Sequence, residues 1–325
     1  MESQRFLLTG ASGCIGAWVA RELVREDAAV TIFDLDTNPR RLRLIMTDEQ
    51  LARVNYLSGD ISDDAAVERA VKETGATHLI HLAALQVPFC KVTPVLGARV
   101  NVVGTVNVFE AAKRAGLKHV VYASSIAVYG QSEDYPGAVV GDSAAQHPLN
   151  LYGVYKQANE GTARIYWQDD GISSTALRPY IVYGAGRDQG LTSGPTKAML
   201  AAASGRSYQI AFGGRSAYQY VRDVARIFIE AARKPLAGAE VFNVRGAVVS
   251  MAEMVAAIEA AAPGAAGKIT YAGAPLPFPA EVDDARLRGA LGAIPETALQ
   301  EGVRETVEIF KAGLQAGKLD PDRLL

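Results

Sequence analysis

The chain holds 325 residues, with 33 Lys+Arg against 35 Asp+Glu, a formal charge of −2 and 49% hydrophobic residues. This composition argues against disorder, collagen-like repeats and a polyanion-binding tail. The length allows a large core with a smaller lobe, and no apolar run reaches the roughly 18 residues of a membrane helix, so a cytoplasmic protein with neither a membrane nor a nucleic-acid partner is expected.

The first predicted strand, RFLLTG, leads into Gly10-Ala-Ser12-Gly13-Cys14-Ile15-Gly16 and then the amphipathic segment AWVARELVRE. Glycines at this spacing, after a strand and before a helix, permit a tight turn and close approach of backbone N–H groups to a pyrophosphate. Ser12, Cys14 and Ile15 lie in the same predicted cofactor loop. The second strand, VTIF, ends at Asp34, eighteen residues past Gly16, where a carboxylate accepts both hydroxyls of an adenosine ribose. NAD is therefore expected over NADP, whose 2′-phosphate that charge would repel; Arg40 and Arg41 lie close enough in sequence to oppose the repulsion. The third strand closes on Asp60 and Ile61, expected to meet the adenine amino group and ring.

Helical spacing covers Asp63 to Gly75 and Val92 to Gly116, each ending in a glycine suited to a left-handed cap. Around them run the strands HLIHLAA, HVVYASS and STALRPYIVYG. The alternation reads as βαβ units, and the continuous apolar strands imply helices on both faces of a parallel sheet. His78 and His81 fall in such a run and read as packed strand residues, so no metal site is expected. Cys14 and Cys90 cannot form a disulfide framework, and Cys90 reads as a small packed residue. After Gly184 the chain becomes rich in Gly and Pro, in GAGRDQGLTSGP, AASGRSYQIAFGGRS and AGAPLPFPAEVDD, which reads as loops on a scaffold. The expected plan is a doubly wound, Rossmann-type α/β domain over residues 1–178, receiving segments near 215–245. Residues 179–325 form mainly a smaller α/β substrate lobe, with the site in the cleft between.

Tyr152 and Lys156 stand four apart in LYGVYKQANEGTARIYW, which reads as a helix, so they share one face. A Tyr hydroxyl with an ordinary pKa near 10 is a poor base at neutral pH, but an adjacent ammonium favours its phenolate. Of the ten lysines only Lys156 has a Tyr four residues before it; Tyr155 has Asn159 four residues on. The pair follows Ser124 and Ser125 at the end of a strand, where ligands gather in open parallel sheets.

Gly10-x-x-Gly13-x-x-Gly16, Asp34, Asp60-Ile61, His81-Leu82-Ala83-Ala84, Asn101, Ser124-Ser125-Ile-Ala-Val-Tyr-Gly130, Tyr152-x-x-x-Lys156 and Arg178-Pro, in that order, resemble the extended short-chain dehydrogenase/reductases, in their epimerase/dehydratase branch. The resemblance is strong to about Gly184 and diffuse after it. It implies that Tyr152 acts as general acid/base, Lys156 binds the nicotinamide ribose and Ser125 hydrogen-bonds the reacting oxygen, with Ser124 on the cofactor side and Asn101 steadying the site. On the cofactor wall it adds Leu82, Ala83, Ala84 and Tyr180. It also implies a homodimer paired through helices around Val92 to Gly116 and Leu149 to Gly171.

Two positions depart from the family pattern. Where relatives carry Phe-Asn after the Arg178 position, with the Asn reaching a sugar diphosphate, this chain has Tyr180-Ile181, and Ile cannot make that hydrogen bond. Where relatives place an Arg on the pyrophosphate, alignment on Val221-Arg-Asp223 puts Ser216, with Arg215 displaced by one residue. The remaining substrate candidates are Gln86, Ser125, Arg187, Ser193 and Arg215, and a guanidinium suits a planar carboxylate, as in a sugar acid. The leading expectation is thus an NAD-dependent dehydrogenase oxidising a hydroxyl of a free sugar, sugar acid or polyol. The alternative is a nucleotide-sugar epimerase or dehydratase with tightly bound NAD. A third class, a dinucleotide-reading sensor without activity, is disfavoured by the intact Tyr152 and Lys156.

Overall fold

The structure is a computed structural model that describes residues 4–325. Five parallel strands, β1 (Arg5–Thr9), β2 (Ala29–Asp34), β3 (Val54–Ser58), β4 (His78–His81) and β5 (His119–Ala123), are joined by Ser173–Arg178 and Ala239–Asn243 into one seven-stranded sheet. Its order is Ala239–Asn243, Ser173–Arg178, β5, β4, β1, β2, β3. The chain therefore winds outward in both directions from the β1–β4 pair, and the crevice at the C-terminal ends of those strands is where such sheets bind ligands. The Rossmann-type expectation is met.

Side-chain alternation explains why the strands read as continuous apolar runs. Phe6 and Leu8 belong to a core that includes Trp18, Leu23 and Phe228, whereas Leu7 between them belongs to a second core with Val67, Leu79, Phe109 and Tyr122. Successive residues point to opposite faces, and both faces are covered. On the first face the helix Cys14–Arg25 packs against Val221–Arg233; on the second, Asp64–Thr74 packs against Gly104–Arg114.

The helix expected to begin at Asp63 is there: the Asp63 carboxylate accepts from the Ala66 N–H at 3.2 Å, and Gly75 closes the helix at φ 53°. The stretch from Val92 to Gly116 is not one helix. It divides into Val87–Val92, Pro94–Ala98, a π-helical turn Arg99–Val103 and Gly104–Arg114. Pro94 has no N–H to continue the preceding turn, and the π turn adds a residue where Asn101 faces inward.

Beyond the main sheet, Ile181–Tyr183, Arg215–Tyr220 and Ala247–Ser250 form a three-stranded sheet, and Tyr208–Ile210 pairs with Ile269–Tyr271. Helices Gly194–Ala203, Met251–Ala261 and Leu299–Gln315 pack on one another beside them. Segment 215–245 leaves this lobe to supply the edge strand Ala239–Asn243, parallel to Ser173–Arg178. No helix among the described residues is long and apolar enough to cross a membrane.

Candidate active site

β1 turns at Gly10, held at φ 70°; a Cβ there would stand 2.4 Å from the Ala83 backbone, so only glycine lets the turn lie against the end of β4. A Cβ on Gly16 would meet Ala11 Cα at 2.3 Å, so this glycine lets the helix start tuck under the loop. Gly13 is the N-cap of Cys14–Arg25, with no side-chain cap and no acidic residue in the first turn. The helix's leading N–H groups therefore stay available to an anion.

One cleft of about 530 Å³ opens above this loop. Every cofactor-side residue named from the sequence except Asn101 lies on its walls, as do Ser125, Tyr152 and Lys156 and the substrate candidates Gln86 and Arg187. Asp34 sits at the end of β2 with Oδ2 accepting from the Ser12 N–H at 2.9 Å. Burial pushes its carboxyl above the usual range, and backbone hydrogen bonds from Ser12 and Asp36 pull it back. Asp60 Oδ1 accepts from the Ser62 N–H at 2.8 Å and its hydroxyl at 2.9 Å. The pocket thus has the glycine cradle, the free helix start and the strand-end carboxylate that a dinucleotide needs.

Arg40 and Arg41 are already engaged. Each pairs with Asp188 at 2.6 Å, and Arg41 Nη1 also donates to the Ser12 carbonyl at 2.8 Å. Asp188 belongs to the Gly-rich loop after Gly184, so an ion pair ties that loop to the segment following β2.

At the other end, helix Leu151–Asp170 starts on an Asn150 cap and carries Tyr152 and Lys156 on its inner face. Lys156, 3% exposed, donates to the Ala123 carbonyl at 2.6 Å and lies 5.6 Å from the Tyr152 ring centroid. Burial lowers its pKa to about 8, against the raising influence of Cys90 and Glu160. Burial raises that of Tyr152, while the neighbouring Ser125 hydroxyl and the Arg187 charge lower it. Arg187 thus joins Lys156, the cation that sequence spacing points to, as a positive charge near the phenol. Arg187 donates to Thr192 Oγ1 at 3.2 Å, but its Nε, like the Oε1 of Gln86, is buried without a partner. These two groups mark the polar end of the cleft nearest Tyr152.

Three residues named from the sequence do not line the cleft. Asn101 is buried behind the wall, where it accepts from the Leu85 N–H at 2.7 Å and donates to the Leu85 carbonyl at 2.9 Å. It sets the loop carrying Gln86 and does not line the cleft. Ser193 donates to the Gly190 carbonyl at 2.9 Å and is 5% exposed, a turn residue. Arg215 begins its strand on an exposed position away from the cleft. His81 packs as expected, bridging Thr9 at 2.7 Å and Thr105 at 3.1 Å, with burial driving its pKa down to about 3. Cys90 is 1% exposed. No group of three His, Cys, Asp or Glu positioned to hold a metal ion occurs among the described residues.

Sequence reading missed Glu160. Its carboxylate accepts from Ser124 at 2.5 Å, from Gln146, and from Arg178 Nε and Nη2 at 2.8 and 2.6 Å. Arg178 also donates to the Tyr129 hydroxyl at 2.6 Å and the Asp142 carbonyl at 2.9 Å. This buried network fixes the serine end of the site from behind. Its signal was the spacing: Glu160 follows Lys156 by one helical turn.

The sequence model of the NAD dependent epimerase/dehydratase family matches residues 6–244. The chain belongs to that family. A UDP-glucose 4-epimerase of Mycolicibacterium smegmatis (strain ATCC 700084 / mc(2)155) is 32% identical over 324 aligned residues, covering 94% of this chain and 98% of the relative. The crystal structure of a Thermus thermophilus UDP-glucose 4-epimerase in complex with NAD superposes with a TM-score of 0.80 at 26% identity, covering 95% of this chain and 99% of the other. MoeE5 in complex with UDP-glucuronic acid and NAD gives 0.78 at 26% identity, covering 95% and 99%. As a member of the NAD-dependent epimerase/dehydratase family, the chain is an enzyme of carbohydrate metabolism with NAD as cofactor.

Proposed function

We propose that this protein is a 4-epimerase of a nucleotide-activated sugar, using NAD that stays bound through the cycle. The observation that carries the reading is the single cleft joining the glycine loop and Asp34 to Ser125, Tyr152 and Lys156, in a chain that aligns end to end with a UDP-glucose 4-epimerase. This is the alternative of the sequence reading, which the relatives favour over a free-sugar dehydrogenase.

In this reading the Gly10–Gly16 loop holds the pyrophosphate, Asp34 the adenosine ribose and Lys156 the nicotinamide ribose. Bound there, NAD would supply the hydride acceptor and donor that lets the carbinol carbon be oxidised and then reduced with inverted configuration. Tyr152 accepts the hydroxyl proton as hydride leaves and donates it back to the oxygen, with Ser125 hydrogen-bonded to that oxygen throughout. Arg187 stabilises the phenolate and, with Gln86, meets polar groups of the sugar; a carboxylate there would pair with the guanidinium, which favours a uronate.

A second reading, oxidation of an unactivated sugar acid with net NADH, draws on the substrate end. Ile181 is fully buried, and Tyr180 closes the wall with its hydroxyl on the Pro279 carbonyl at 2.8 Å. Among the described residues on the cleft walls, Arg187 is the one cation bound by neither an ion pair nor a main-chain oxygen. The test gives the protein NAD with UDP-glucose, UDP-glucuronate and free aldonates and uronates, following NADH absorbance and sugar NMR. A C4 epimer without net NADH supports the epimerase; stoichiometric NADH from a free acid overturns it for the dehydrogenase.

The domain plan, residues 1–178 for cofactor and 179–325 mainly for substrate, is part of the proposal. So is a homodimer: Val92 and Val95 are 79% and 72% exposed, and Leu151, Val154 and Ile165 also project from the helices expected to pair.

A further inference from the structure

A second cavity of about 560 Å³ lies against the cofactor cleft, sharing Arg41, Gly186, Arg187, Asp188 and Gln189 as a common wall. Its size is that of a small-molecule site. We propose that it binds a small phosphorylated molecule with an apolar body, and that this ligand loosens the Arg41–Asp188 tie beside the cofactor.

The charge around the cavity is one-sided. Arg40, Arg41, Arg187, Lys197, Lys318 and Arg323 line it against Asp188 and Asp320, six cations to two anions, in a chain whose overall charge is −2. Both anions are committed. Asp188 holds Arg40 and Arg41, which keep its carboxyl below the usual range despite burial. Asp320 pairs with Arg323 at 3.3 Å and caps the last helix through the Asp322 N–H at 3.0 Å.

The other cations are not satisfied by acids. Among the described residues Lys197 makes no ion pair or side-chain hydrogen bond, Lys318 reaches only the Arg43 carbonyl at 3.0 Å, and Arg187 Nε is buried without a partner. Like charges gathered around a partly enclosed volume repel, and the cleft concentrates their field on an incoming anion. Leu44, Leu200, Phe310 and Leu319 complete the lining, so the fitting ligand carries an apolar group beside its phosphate.

Arg41 links this cavity to the cofactor. It donates to the Ser12 carbonyl in the glycine loop and, through Nε and Nη2, to Asp188 on the Gly184–Thr192 loop. A dianion that competes with Asp188 for Arg40 and Arg41 releases that loop from the segment after β2. Any change it makes in NAD affinity is matched by an equal change of its own affinity when NAD binds. Binding at the cavity does not depend on the epimerase reading; only the effect on the cofactor depends on NAD occupying the neighbouring cleft.

The test is calorimetric titration of the NAD-loaded protein with phenyl phosphate and with inorganic pyrophosphate at constant ionic strength, repeated on Lys197→Ala/Lys318→Ala. Neither lysine belongs to the catalytic cleft, so turnover without the probe is expected to stay unchanged. Saturable 1:1 binding in the parent, at least about tenfold weaker in the double variant, with phenyl phosphate preferred and NAD release accelerated, is the expected result. No saturable binding of either probe, or undiminished binding in the variant, overturns the site. Binding that leaves NAD release unchanged overturns the coupling alone.

Discussion

Lys156→Met should make the protein more stable and inactive. The ammonium is 3% exposed, and burial lowers its pKa from the usual 10.5 to about 8. At about 1.4 kcal/mol per tenfold change in proton affinity, keeping it charged at pH 7 costs the fold about 3 kcal/mol. Between pH 8 and 10.5 the unfolded chain binds a proton that the folded chain does not, so the parent's stability rises with pH there, and below pH 8 the full penalty applies. Methionine removes the charge and keeps an unbranched apolar chain of similar reach, but forfeits the charge-assisted hydrogen bond to the Ala123 carbonyl, a loss of about 1.5 kcal/mol. The expected gain is about 1.5 kcal/mol at pH 7, falling toward zero and then below it as pH approaches 10.5. Urea unfolding of both proteins at pH 7 and pH 9.5, with equal m-values, measures it. A variant no more stable than the parent at pH 7, or a difference independent of pH, would refute the claim that the site holds a strained ammonium for chemistry.

Three further outcomes are expected. Tyr152→Phe lowers turnover at least about 100-fold while NAD affinity stays within about twofold, since only proton transfer is removed; parallel turnover and cofactor titrations check it. Asp34→Ala weakens NAD and narrows its advantage over NADP, read from the ratio of the two binding constants; an unchanged ratio would place ribose discrimination elsewhere. Glu160→Ala leaves the 2% exposed Arg178 charged without its acid. Breaking such a pair costs about 3–5 kcal/mol, visible as a lower urea midpoint, and Glu160→Gln should recover part of it.

What was legible in the sequence was what local spacing fixes. The glycine loop and Asp34 lie within one strand–helix–strand unit and the Tyr152–Lys156 pair within one helical turn, so residue intervals translate directly into geometry. The alternation of Phe6, Leu7 and Leu8 between two cores likewise follows from the period of a strand. Polarity in a loop says nothing about direction, and Ser193 and Arg215 lie off the cleft walls: one hydroxyl serves its own turn, and one guanidinium starts a strand in solvent. Asn101 was placed in the right neighbourhood but one layer too far forward, since a π turn inside a helical run leaves no periodic trace.

The features that close the site come from distant pairings. Asp188 meets Arg40 across 148 residues, and Tyr129 meets Asn243 across 114; no window of sequence contains both partners. The same limit bears on function. Position by position, the missing diphosphate contacts at Ile181 and Ser216 point toward a free-sugar dehydrogenase. A diphosphate can also be held by backbone N–H groups, which leave no side-chain signature; Arg187, whose Nε is buried without a partner and whose charge acts on Tyr152, belongs to the reacting end of the cleft. Substituting Arg187 by Lys keeps the charge but removes the planar fork. It should raise KM for the true substrate while leaving NAD affinity unchanged, and the substrate whose KM rises most identifies the anion that the guanidinium reads.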